Sequence, residues 1–133
     1  MKEITGLLKV LSDESRLRAL NLILERECCV CEVMQAMEVS QSKASRMLRM
    51  LYDVGLLKLR REGRWVLYSI DNNQVQGHVA SILAGISHFL KDNPVISGDL
   101  KRLARAERLG PTCVVKGYGK RLAGRIRPLQ STN

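Results

Sequence analysis

Residues 40–55 carry two stripes of opposite character on one helical repeat. Ala44, Met47, Leu48 and Leu51 recur at i, i+3, i+4 and i+7, and Ser42, Ser45, Arg46 and Arg49 recur at the same spacing on the other side. Such a segment is a surface helix that packs along one face and presents the other. Ser40 is placed to cap its start and Gly55 to stop it, so the spacing predicts a helix from about residue 40 to Asp53. The outward face holds Gln41, Ser42, Lys43, Ser45, Arg46 and Arg49 and no acid before Asp53. Amide and guanidinium groups can hydrogen-bond base edges in a major groove, and Ser and Lys suit phosphates. A basic stripe by itself also describes an ordinary solvated helix face, so its surroundings decide its meaning.

Those surroundings have a definite order. Ile4, Leu7, Leu8 and Leu11 predict a first amphipathic helix. Ser12 or Asp13 caps a second, with Leu17, Leu20, Ile23 and Leu24 as its buried stripe. A short third helix covers Val30 to Met37, and Met37-Glu38-Val39-Ser40 is a tight connection into the fourth. Leu57-Lys58-Leu59-Arg60 and Trp65-Val66-Leu67-Tyr68-Ser69-Ile70 are β-rich runs around the turn Arg61-Glu62-Gly63-Arg64, which makes a two-stranded ribbon with Arg61 and Arg64 at its tip. The fold class expected is therefore mainly α with a β-hairpin wing, a winged helix-turn-helix whose second helix enters the major groove.

Residues 74–90 have helical spacing in Val75, Val79, Ile82, Leu83, Ile86, Phe89 and Leu90 and carry no Lys, Arg, Asp or Glu. An uncharged helix needs a cover, and a second copy of the chain would supply one. Pro94 is expected to end that element, with a short helix near residues 99–108. This divides the chain into a winged-helix and dimerisation domain over residues 1–92 and a basic C-terminal extension over residues 93–133, partly helical or flexible.

Charge supports a polyanionic partner. The 133 residues hold 22 Lys and Arg against 13 Asp and Glu, a formal charge of +9. Residues 1–98 contribute 13 basic and 11 acidic groups, residues 99–133 contribute 9 and 2, and no acid follows Glu107. The extension thus reads as an arm that adds phosphate affinity. Met1-Lys2-Glu3-Ile4 opens without an apolar export segment, and the longest uncharged run is too polar to span a bilayer. A cytoplasmic protein without membrane partners is expected.

Cys28-Cys29-Val30-Cys31 puts three of the four cysteines within four residues, and in a reducing compartment that points to metal or redox chemistry. If the stretch is helical, Cys28 and Cys31 share a face. A helix start and Arg26 lower thiol pKa, while Glu27 and Glu32 oppose it. No phosphate- or oxyanion-cradling loop accompanies the cysteines, so the chain is not expected to be an enzyme.

With these features the sequence resembles the ArsR/SmtB family of dimeric winged-helix repressors that respond to metals and metalloids. The resemblance covers about residues 4–90. It rests on Leu11-Ser12-Asp13-Glu14-Ser15-Arg16-Leu17, Glu27-Cys28-Cys29-Val30-Cys31-Glu32-Val33, Ser40-Gln41-Ser42-Lys43-Ala44-Ser45-Arg46-Met47-Leu48, Gly55-Leu56-Leu57 and Arg61-Glu62-Gly63-Arg64-Trp65-Val66-Leu67-Tyr68. It implies a homodimer on double-stranded operator DNA, needing no cofactor to bind, that is released when arsenite, antimonite or another soft ion binds its thiolates. Cys29 and Cys31 match the cysteine box of arsenic-responsive members. The family's third cysteine position holds Met34, so Cys28, or else Cys113, would complete the site. A second site on the last long helix of zinc and cobalt members is degraded, with Gln76 before His78, Phe89 at the downstream histidine position and His88 shifted by one residue. The alternative is a repressor of the same fold that senses oxidant or persulfide through a disulfide or polysulfide to Cys113.

Overall fold

A computed structural model describes residues 1–109; Cys113 and most of the basic extension lie outside the described residues. The chain runs α1 (Lys2–Leu11), α2 (Glu14–Glu25), β1 (Cys28–Cys29), α3 (Val30–Met37), α4 (Gln41–Asp53), β2 (Leu57–Glu62), β3 (Trp65–Ile70), α5 (Gly77–Leu90) and α6 (Pro94–Arg105). The mainly α, winged arrangement read from the sequence is the fold observed.

Local chemistry sets the boundaries. Asp13 starts α2, its carboxylate accepting the Arg16 N–H at 3.0 Å, and Ser40 Oγ accepts the Lys43 N–H at 3.2 Å at the start of α4. At the end of α4, Gly55 adopts φ +86°. Its N–H bonds the Tyr52 carbonyl and the Leu56 N–H reaches back to Leu51, which reverses the chain into β2. A β-carbon at Gly55 would also meet Gln74 Oε1 at 3.1 Å.

The wing is longer than expected. Glu62 pairs with Trp65, so Arg61 and Glu62 belong to β2 and only Gly63 and Arg64 form the turn, with Gly63 at φ +60° in the glycine-first position. The sheet is also three-stranded, in the order β1-β3-β2, because Cys28 and Cys29 pair antiparallel with Tyr68 and Leu67. A two-residue strand has no periodicity to read; its partner lies some forty positions away.

Leu20 and Leu22 of α2, Val33 of α3, Leu48 and Leu51 of α4, and Leu56, Leu57 and Leu67 at the base of the wing form the fully buried centre. The helix expected near residues 99–108 starts earlier. Pro94 opens it, in the first-turn position that tolerates proline, and Asn93 Oδ1 accepts the N–H groups of Val95 and Ile96. Thus α6 folds back onto α2 and α3. There the carboxylate of Asp99, fully buried, takes two hydrogen bonds from Arg18 at 2.9 and 2.8 Å and one from Arg102 at 2.9 Å, while Arg102 Nε reaches the Ala36 carbonyl. In contrast, α5 buries only Leu83 and leaves Phe89 86% exposed, and α1 exposes Leu8. Among the described residues, no helix is long and apolar enough to cross a membrane.

Candidate nucleic-acid interface and cysteine site

The two stripes of α4 separate in space as their spacing requires. Ala44, Met47, Leu48 and Leu51 are buried; Gln41, Lys43, Ser45, Arg46 and Arg49 are exposed and Ser42 is half-buried. The tight turn that Glu38 makes at φ +57° after α3 sets α4 across that helix. Lys43 and Arg46 form no ion pair with another described residue, so their cations are available to an anionic partner. Arg49 is engaged: its guanidinium bonds Asp53 at 3.1 Å and lies 6.0 Å from the Tyr52 ring centre. On the wing, Arg61 and Arg64 are exposed. Arg60 is instead structural, held bidentately by Glu27 at 2.9 and 2.8 Å, and the same hydrogen bonds hold the Glu27 carboxyl below its ordinary pKa.

The cysteines divide into a pair and an outlier. Cys29 precedes the first turn of α3 and Cys31 lies within it; their sulfurs are bonded to each other. Both are buried. Cys28 is not on the helix but on β1, where successive side chains alternate between faces, so it points away from Cys29. Its Sγ lies 3.3 Å from the Arg26 carbonyl. Burial pushes the Cys28 thiol up to about 12, which leaves it protonated at neutral pH. The expectation of a shared helical face therefore fails for Cys28, because β1 replaces the first helical turn. Among the described residues, no group of three or more His, Cys, Asp or Glu is gathered as ligands of one ion, and His78 and His88 are both exposed.

Glu32 is a group the sequence reading undervalued. It is 4% exposed, its Oε1 accepts the Cys29 N–H at 2.9 Å, and its carboxylate pairs with Arg26 at 2.9 Å and Arg108 at 3.4 Å. The spacing Cys29-x-x-Glu32 was the available signal, since it is a capping box with cysteine in the place of serine.

A helix that enters a major groove must be exposed, rich in donors and rigidly backed, and α4 meets each condition beside a basic hairpin. The fold and this face define a winged helix-turn-helix protein of the DNA-binding class. Residues 13–58 match the family model described as "Bacterial regulatory protein, arsR family". The chain belongs to this family of transcriptional regulators. It is 48% identical over 89 residues to the arsenic resistance transcriptional regulator ArsR2 of Pseudomonas putida, covering 64% of this chain and 77% of that protein. It is 35% identical over 92 residues to the SmtB repressor homolog of Synechocystis, covering 69% and 67%. Identity to the cadmium resistance regulator CadC homolog of Staphylococcus aureus is 41% over 75 residues, 56% of this chain and 62% of that one. The likeness thus spans about three fifths to two thirds of the latter two relatives. Among solved structures, HlyU from Vibrio cholerae superposes with a TM-score of 0.56 at 30% identity, over 68% of this chain and 90% of HlyU.

Proposed function

We propose that this chain is a homodimeric transcriptional repressor that leaves its operator when a thiophilic metalloid or soft metal, arsenite or antimonite above all, is held by Cys29 and Cys31. The observation that carries the reading is the convergence of these two sulfurs at the start of the helix immediately before α4. Two close thiols fit a soft ion, which supplies a bridge between sulfurs. Cys28 faces the other side of β1 from Cys29, so in this reading a third thiolate would come from Cys113, of the same or the partner subunit.

In this reading Gln41, Ser42, Lys43, Ser45 and Arg46 meet bases and phosphates, Arg49 lies at the edge of the contact, and Arg61 and Arg64 grip the backbone from the wing. The uncharged, largely uncovered α5, together with α1, supplies the dimer contact. Two copies would then set their recognition helices about 34–36 Å apart, one DNA turn. Cys29 and Cys31 transmit ligation through the first turn of α3, whose other end runs straight into α4. A coupling of about 1–3 kcal/mol is typical of such linkage. The names of the arsenic and cadmium regulators among its relatives support this inducer class.

The bonded sulfurs also favour a second reading, in which a peroxide removes two electrons and two protons from the Cys29 and Cys31 thiols, closing a disulfide and leaving two waters, or one water and one alcohol from an alkyl hydroperoxide. Native mass spectrometry of the reduced dimer separates the two. The metalloid reading expects one arsenic per subunit with Cys29 and Cys31 protected from alkylation. Loss of two hydrogens with peroxide, and no arsenic retained, would replace it with the redox reading.

A further inference from the structure

Beyond α6 the described chain continues for four residues without helix, yet every one of the last three is tied down. Glu107 is clamped by Gln35 of α3, whose amide donates to the Glu107 carbonyl at 2.7 Å while its Oε1 accepts the Glu107 N–H at 3.2 Å. Arg108 lies between two carboxylates from different elements, Glu32 of α3 at 3.4 Å and Glu62 at the end of β2 at 3.8 Å. Leu109 is buried, and its carbonyl accepts the Trp65 indole N–H at 2.5 Å. Three residues of extended chain span roughly 10 Å, enough to cross from the cysteine helix to the wing.

The crossing point matters because Glu32 is the group that accepts the Cys29 N–H. A shift of the Cys29 backbone must move or break that hydrogen bond, and the carboxylate that makes it is the one Arg108 holds. From Arg108 the path continues to Glu62, whose carboxylate also pairs with Arg60 at 3.1 Å, and Arg60 in turn holds Glu27, the residue just before β1. A solvated basic tail would show neither a reciprocal side-chain clamp nor a buried leucine.

We propose that residues 106–109 form a latch joining the cysteine-bearing helix to the wing, with Arg108 as its positioning residue, so that rearrangement at Cys29 reaches the hairpin as well as α4. This rests on the reading of Cys29 and Cys31 as the sensor. The latch links two elements that both sides of the regulatory equilibrium use, which is what a coupling element requires.

Trp65 is the chain's single tryptophan and one end of the latch bonds to it, so its emission reports the latch directly. The experiment uses the full-length reduced protein, arsenite, and a labelled operator selected by the protein from random duplexes. Arg108→Ala is compared with Arg105→Ala, an exposed residue of α6 that makes the same charge change. In the arsenite-free protein, Arg108→Ala should raise iodide quenching of Trp65 at least twofold, and Arg105→Ala should not. Arg108→Ala should still bind arsenite with wild-type stoichiometry, yet lose at least two thirds of the wild-type fold-change in operator affinity. Trp65→Phe, which keeps an aromatic side chain and removes the N–H, should lose coupling in the same direction. Quenching and arsenite response of Arg108→Ala equal to those of Arg105→Ala would overturn the latch. Absence of any arsenite response in the wild type would overturn the sensor reading instead, and the quenching comparison would still decide whether the latch exists.

Discussion

Asp99 is a carboxylate without solvent, and its two arginines come from α2 and from its own helix. The hydrogen bonds that Arg18 donates to Asp99 raise the pKa of the Arg18 guanidinium. Asp99→Ala leaves two partly buried guanidinium groups unpaired and should destabilise the fold by about 3–5 kcal/mol, read as a fall in the urea midpoint without loss of two-state behaviour. A change below about 1 kcal/mol would mean that α6 is held by apolar contacts alone. Nothing in the sequence marks Asp99 out, since its partner Arg18 is 81 positions away. Cys28 shows the same limit in reverse: its spacing to Cys31 suits a helix, and only the distant pairing with Tyr68 reveals that it is on a strand. At Cys29 and Cys31, by contrast, the residues that the resemblance singles out are the ones whose sulfurs meet.

Elements whose signals are local were the legible ones. The helix over Gln41–Asp53 follows from its two stripes, Ser40 and Gly55, and α3 matches the span expected of it. The start of α6 departs from the expectation that Pro94 ends an element, because an Asn-Pro pair is also a cap followed by a first-turn proline. On α4, Lys43 and Arg46 have exposed side chains that support no other described residue through an ion pair, so removing them should leave the fold intact. Arg46→Ala should weaken operator binding by about 1–3 kcal/mol, and Lys43→Ala should lower affinity more evenly across sequences with a shallower salt slope. Fluorescence anisotropy at several salt concentrations, with unfolding curves as the control, checks both. Wild-type affinity in both variants would remove α4 from the interface.

For the molecule as a whole, α4 is joined to the cysteine-bearing helix by packing on α2 and α3 and to the wing by packing on β2, while α6 braces α2 and α3 from the other direction through contacts between residues far apart in the chain. An uncharged α5 implies a cover, and the structure leaves that helix largely uncovered in a single chain, with Phe89 in solvent. The central claim is that the Cys29 and Cys31 thiols control operator occupancy. Its most direct test is a titration of operator-bound protein with arsenite under reducing conditions, comparing the wild type with Cys28→Ser, Cys29→Ser and Cys31→Ser. The account predicts release from the wild type and from Cys28→Ser, and normal binding without release for Cys29→Ser and Cys31→Ser, because a hydroxyl is a poor ligand for a soft ion. Release of Cys29→Ser and Cys31→Ser at the wild-type arsenite concentration would contradict it.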